Sequence, residues 1–263
     1  MHLFSIINPS EIIDIIASKR AELRQKSLPV NKLEICCEKI ISEVEDVKCY
    51  LKMEIEKSDK IKSYNLEYLG CTLLSGDVIY LYRFNRQKEG KSGYYFTRSS
   101  RKGENVRWIY FNCWERKTRI FSGERHYSFL DSDLTYEDLV STPGDFRHDL
   151  QTQSKTNFCI ETFPVSNKIA EEVGFTLKKI TLSKKEIKPQ KIEYYNQVGS
   201  RKKILNISSL NKVNSHLYVP ERFKISRMHK SNKSSTEVFL QDIKINTGLK
   251  KEDFFEGGLP KNN

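Results

Sequence analysis

No stretch of this sequence approaches the roughly 18 consecutive apolar residues that a membrane-crossing helix needs, so a helical membrane protein is not expected. The opening MHLFSIINPSEII also lacks the length and flanks of a secretory signal, because its apolar run is broken by Ser5 and stopped at Asn8-Pro9. Taken alone, that start places the protein in the cytoplasm. A mature chain given a new start Met, or a gene start read too late, are the two other readings. Cysteine spacings typical of metal or redox sites are missing as well. The six cysteines (Cys36, Cys37, Cys49, Cys71, Cys113, Cys159) form no C-x-x-C pair. They read as small buried hydrophobes, with one or two disulfides left open if the compartment is oxidising.

Catalytic signatures fail one by one. The five histidines (His2, His126, His148, His216, His229) show neither H-x-x-x-H nor H-E-x-x-H spacing, and no G-x-S-x-G elbow accompanies them. EGKSG at 89–93 resembles the tail of a phosphate-binding loop, but Asn85 stands where the loop needs Gly, and an aromatic strand follows instead of a helix. Asp131-Ser132-Asp133 begins like a calcium loop, yet Tyr136 and Thr142 occupy the places of its Gly and Glu. Asp131 and Glu137 as a glycosidic carboxylate pair have no sugar cleft to go with them. The expectation is a non-enzymatic protein with no metal and no cofactor.

The chain is basic, with 45 Lys and Arg against 34 Asp and Glu and a formal net charge of +11. Nucleic acid is still not the expected partner. No helix-turn-helix, zinc-finger or RNP-like motif is present, and the lysines alternate with apolar residues. The densest stretch, Lys178–Lys203, reads as solvated strand faces. An anionic membrane surface or an acidic partner fits the charge at least as well.

Tyr and Phe are plentiful, at 13 and 14, and β-branched residues recur, which favours sheet. Ser10 as N-cap and the apolar stripe Ile12, Ile13, Ile15, Ile16, Leu23 predict a helix over about 10–24. Residues 31–47 could form a second helix or begin the sheet. From Val47 the period drops to two, with Cys49, Leu51, Met53 and Ile55 on one face. Strands follow at 61–69, 78–84, 93–98, 106–114, 158–163, 174–182, 191–196, 202–210, 218–228 and 236–245, joined by short polar turns. Between them lies SFLDSDLTYEDL (128–139), an acidic knot in a basic chain. Thr135 followed by Asp138 fits a capping box, so the knot reads first as a corner around a short helix at about 135–141, and second as a docking surface. The reading is one domain over 1–263, mainly β with helices (α+β): a curved antiparallel sheet from about 47 onward, an incomplete barrel with helices over its concave side.

Several segments resemble one family in one order. RWIYFNCWERKTRIFSGERHYSFLDSDLTYEDL (107–139) is similar to the "W-x-Y-x-P…R-R-I" strand and "S-F-x-G-S-D-F-[ST]-Y-E-D-L" loop of the outer-membrane lipoprotein-sorting family, relatives of the periplasmic carrier LolA. KIEYYNQVGSRKK (191–203), YVPERFKI (218–225) and TEVFLQDIKINTGLKKEDFF (236–255) resemble its later motifs. The family's strand Pro is Asn112 here, and its loop Gly is Asp131. The resemblance implies an unclosed barrel around an apolar cavity, a periplasmic location, and a carrier of lipid or lipoprotein acyl chains. It also implies an inner-membrane transporter and an outer-membrane acceptor as partners of a monomer. The other reading is an envelope-complex adaptor that carries no lipid. The cavity candidates are Trp108, Tyr110, Phe223, Ile225, Phe239 and Ile243, each pair expected to share a face of its strand. Ser132, Asp133, Tyr136, Glu137 and Asp138 form the motif loop, structural or docking.

Overall fold

In the computed structural model, the described residues are 44–254, apart from Asp59, 87–91, 101–104, Ser141, Pro143, Gln153, Glu186, 213–217 and 229–233. The helix expected at 10–24, most of the segment 31–47 and the Cys36-Cys37 pair lie outside them.

Thirteen strands form one antiparallel sheet. They are β1 (Asp46–Lys57), β2 (Lys60–Thr72), β3 (Val78–Arg86), β4 (Ser92–Ser99), β5 (Asn105–Phe111), β6 (Arg116–Arg119), β7 (Phe146–Thr152), β8 (Asn157–Pro164), β9 (Leu177–Ser183), β10 (Pro189–Tyr195), β11 (Arg201–Lys212), β12 (Tyr218–Arg227) and β13 (Ser234–Ile245). The order runs from β6 back to β1, crosses to β13, and runs back again to β7. Each half is therefore a meander of neighbouring hairpins, and β1 paired with β13 is the seam between them. β6 and β7 are the two edges, so the sheet does not close into a barrel. Sequence reading missed β6 and β7. Both are short and charged or polar on alternate positions, as suits an edge.

Alternation fixes the faces. Cys49, Leu51, Met53 and Ile55 of β1 are buried on one side, while Tyr50, Lys52 and Glu56 are exposed on the other. One face carries the main core, which draws on almost every strand and on residues 129–140. The opposite face of β2–β5 carries a smaller core: Leu69, Cys71, Ile79, Leu81, Tyr94 and Phe96, covered by Phe254 from the 3-10 turn Lys251–Phe254. Gly93 is dictated by close approach, since a Cβ there would collide with the carbonyl oxygen of Tyr110 and crowd the Phe84 ring. Cys49, Cys71 and Cys159 are free and buried, and Cys113 is free and exposed.

The main-core face is strongly concave. Tyr95 on β4 and Tyr194 on β10 are seven strand steps apart in the sheet, about 34 Å if it were flat. Yet Tyr95 meets the Tyr136 ring at 5.2 Å, and the Tyr194 hydroxyl donates to Asp138 Oδ1 at 2.8 Å. Two residues of one short helix touch both, so the sheet wraps around that helix. No helix among the described residues is long and apolar enough to cross a membrane.

Two helices are described. α1 (Tyr136–Leu139) lies inside the curl. α2 (Asn167–Val173) sits between β8 and β9; Ser166 caps its start and Gly174, at φ 78°, ends it in the left-handed conformation. That serine-to-glycine frame, SNKIAEEVG, was the unused sequence signal for α2.

Candidate functional site: the buried crossover and the cleft between the open edges

The chain gets from edge β6 to edge β7 through residues 120–145, which cross the inside of the curl. Their local structure follows from short-range hydrogen bonds. Ser128 and Thr135 form a β-bridge, and Phe129 N–H donates to Leu134 O at 2.8 Å. Ser132 Oγ donates to Phe129 O at 2.6 Å and accepts from Leu134 N–H at 3.1 Å. Leu130 and Asp131 take φ of 51° and 63°. The family's loop glycine thus falls on a position that is left-handed here, which Asp tolerates better than most residues. Thr135 caps α1: its Oγ1 accepts from Asp138 N–H at 3.3 Å, while Thr135 N–H donates to Asp138 Oδ2 at 2.7 Å. Replacing Thr135 by Ala is expected to cost about 0.5–2 kcal/mol in urea unfolding.

The crossover presents apolar groups and acids together to the concave face. Phe129, Leu130, Leu134, Tyr136, Leu139 and Val140 are buried in the main core. Phe129 lies among the rings of Tyr82, Phe84 and Tyr95 with centroids 5.8–6.2 Å away. Tyr82 donates from its hydroxyl to Leu139 O at 3.2 Å. Three of the knot's four acids turn inward and each meets a partner on the sheet or the loop. Asp133, 1% exposed, accepts from Ser234 Oγ at 2.6 Å and Thr236 Oγ1 at 3.0 Å, with Arg227 at 3.5 Å. Asp138 pairs with Lys203 at 2.5 Å and accepts from Tyr194. Glu137 accepts from Arg125 Nε at 2.7 Å. Only Asp131 faces solvent, 3.2 Å from Lys62.

Charge here is controlled by burial and pairing. Burial pushes the Asp138 carboxyl up, but the Lys203 ammonium and the Thr135 hydrogen bonds outweigh it and hold the group below the usual carboxylate range. Burial raises Glu137, and Arg125 only partly offsets it. Arg125 itself is held fully charged by Glu137 and by Asp145 at 2.6 Å, despite its burial.

Of the two readings of the motif loop, structural or docking, burial favours the first: Ser132, Asp133, Tyr136, Glu137 and Asp138 are all buried. Acids look like surface when read along one chain, but a curled sheet brings their cations over them. For the same reason Lys178–Lys203 is not simply a solvated run, since Lys178 and Lys203 point inward and are buried.

The cavity candidates divide. Phe223 and Ile225 lie on the concave face, packed in the main core and nearly inaccessible. Trp108 and Tyr110 face the other way, against the smaller core, because Arg107 and Ile109 are the inward residues of β5. Lys117 sits over the Trp108 ring, and Tyr94 stacks on Tyr110. Large aromatics mark the interior only where one face is covered, and β5 is covered on both. Phe239 also faces outward, under the Arg222 guanidinium. Ile243 packs against the main core, so this pair does not share a face. The register of β1 and β13 slips by one residue between Lys48 and Tyr50, and Asp242 has φ 51°. That bulge inverts the alternation.

A cleft of about 1020 Å³ opens where the barrel fails to close. One wall is the β3–β6 side, with Val78, Asn105, Arg107 and Arg119; the other is the crossover and α2, with Arg125, Thr142, Asp145, Lys168 and Glu172. Sequence reading proposed none of these as site residues; Arg119 entered only as a match to the family motif and Thr142 only as a misfit to a calcium loop. Their only signal was Arg107, a charge at an inward position of an aromatic strand.

A single antiparallel sheet curled around its own edge-to-edge crossover, and left open, defines the LolA-like class of fold, and solved structures agree. An outer membrane lipoprotein-sorting protein domain from Vibrio parahaemolyticus superposes with a TM-score of 0.72 at 19% identity, over 84% of this chain and 94% of that one. A DUF1329 family protein from Desulfovibrio piger gives 0.73 at 18% identity, over 87% and 95%. A LolA superfamily protein from Nitrosomonas europaea gives 0.62 at 13% identity, over 84% and 94%. No curated protein matches the sequence. A family model described as "Uncharacterized protein" matches residues 76–261, and the chain belongs to that family.

Proposed function

We propose that this protein is a non-enzymatic periplasmic carrier or chaperone, one domain throughout, that binds lipid or the acyl chains of lipoproteins on the concave face of its sheet. The observation that carries this reading is the open curl itself. An apolar concave face between two unpaired edges, β6 and β7, can widen to admit a chain, whereas a closed barrel cannot. Each buried CH₂ of an acyl chain contributes about 0.8 kcal/mol, so no bond chemistry is needed for uptake. The structural neighbours with lipoprotein-sorting and LolA names support the reading at the level of fold. A transporter in the inner membrane and an acceptor at the outer membrane are the partners such a carrier would need.

One observation favours the second reading, an envelope-complex adaptor that carries no lipid: residues 129–140 already fill part of the curl with packed side chains. A fluorescent fatty acid separates the two. The carrier takes it up saturably. Phe223→Trp, which overfills the concave face, weakens uptake, and Trp108→Ala on the opposite face leaves it unchanged. If the wild-type protein takes up no acyl probe, the carrier reading fails and the adaptor replaces it.

A further inference from the structure

We propose that the cleft between the open edges is an anion-binding site for a phosphate or carboxylate group, with Arg107 as its buried contact and Arg119 and Lys168 at its mouth. This goes beyond the carrier reading and does not require it.

Arg107 is 4% exposed and lines the cleft. Its Nη2 donates to Thr142 Oγ1 at 2.8 Å, and its Nε, fully buried, makes no hydrogen bond. Burying a guanidinium without a counter-charge is costly, and the cost is normally met by a paired anion. No carboxylate among the described residues forms an ion pair with Arg107, Arg119 or Lys168. The acids of the cleft are already engaged: Asp145 and Glu172 both lie on Arg125 Nη1, at 2.6 and 3.5 Å, and Glu137 behind them holds Arg125 Nε. Arg125 Nη2 is a second buried donor without a partner. Glu137 feels the field of Arg107 but is not within ion-pair distance of it.

The chemistry of the wall selects the ligand class. A guanidinium offers a planar fork of donors that fits the paired oxygens of a phosphate or carboxylate. Arg119 and Lys168 are exposed and can draw an anion to the mouth. Asp145 and Glu172 both sit on Arg125, and the cleft lining still carries four cations, Arg107, Arg119, Arg125 and Lys168, against these two carboxylates, which favours an anion over a metal cation. The anion could arrive as a free ion or as the headgroup of an amphiphile whose chains lie elsewhere.

The test is thermal stabilisation and calorimetric binding of three probes: inorganic phosphate, a short-chain phosphatidic acid below its micelle concentration, and a neutral short-chain diacylglycerol. Wild type is compared with Arg107→Gln and with the surface double variant Arg119→Ala/Lys168→Ala, which keeps the inference testable if Arg107→Gln does not fold. Loss of a hydrogen bond to a charged group weakens binding about 10- to 100-fold, the effect expected for Arg107→Gln; the rim variant weakens it less, and more at low salt than at high. Phosphate binding that follows this pattern assigns a free anion. Binding of phosphatidic acid but not phosphate, with the same pattern, assigns a headgroup. If neither anionic probe binds, or both variants bind them as wild type does, the inference is overturned. Uptake of diacylglycerol reports on the carrier reading alone, so the two can fail separately.

Discussion

Phe129→Ala is expected to destabilise the protein by about 3–5 kcal/mol, the cost of emptying an aromatic site in a packed core. Its ring is 1% exposed and touches rings from β3 and β4 as well as Tyr136 of α1. The measurement is the urea midpoint, with the slope checked for two-state behaviour. Leu74→Ala, at a fully exposed turn position, is the control and should stay within about 0.5 kcal/mol. The size of the effect also bears on function. A crossover that forms part of the permanent core gives the full loss. A crossover that swings out to admit a ligand is packed only part of the time, and a loss below about 1 kcal/mol would reveal it.

Lys203→Met is expected to cost a similar amount, about 3–5 kcal/mol at neutral pH, because it strands the Asp138 carboxylate inside the curl. The pair is 2.5 Å apart and both groups are buried. Tyr194 and Thr135 still donate to Asp138 in the variant, but neither brings a charge. Combining Lys203→Met with Asp138→Asn removes both charges and should recover more than half of the loss. The pH dependence has a definite sign. The folded-state pKa of Asp138 is depressed, so its contribution is complete above the unfolded value of about 3.9 and is lost as pH falls through the folded value. The wild type should therefore weaken in acid more steeply than Asp138→Asn. In Lys203→Met the stranded carboxyl can take up a proton, so the penalty should shrink between pH 7 and pH 4. A penalty that does not vary with pH would place Asp138 in contact with solvent.

The sheet could be read from the sequence because period-two patterning is local. A strand such as β1 declares its faces through residues such as Cys49, Leu51 and Met53, and Thr135 with Asp138 announces its cap within four residues. The unclosed form was already the expectation from the strand pattern, and the resemblance to the lipoprotein-sorting family implied the same form. What could not be read is whatever depends on curvature. Lys203 and Asp138 are 65 positions apart, as Arg227 and Asp133 are 94, and nothing local in either stretch names the other. The outward Trp108 and Tyr110 are large aromatics because they pack against a second core on the sheet's other face, which Phe254 joins from far along the chain. Phe239 and Ile243 were separated by one inserted residue whose sign is only a non-glycine at positive φ.

The seam between β1 and β13 sets the order in which this molecule can assemble. Each of the other eleven strand pairs joins neighbours in sequence, so they can form across local connections, the longest of which carries α2 between β8 and β9. Val47 and Ile245 are about 200 positions apart, and closing so long a loop costs about 3 kcal/mol more than closing a ten-residue hairpin. That pairing has little reason to form before both meanders exist to reward it. The crossover joins the far edges of the two meanders, so docking the seam curls them around it. Until then its aromatic and acidic groups face water together. The slow step of folding is thus expected to be the zipping of the sheet's middle, and substitutions across the β1–β13 ladder should retard refolding more than substitutions at either edge.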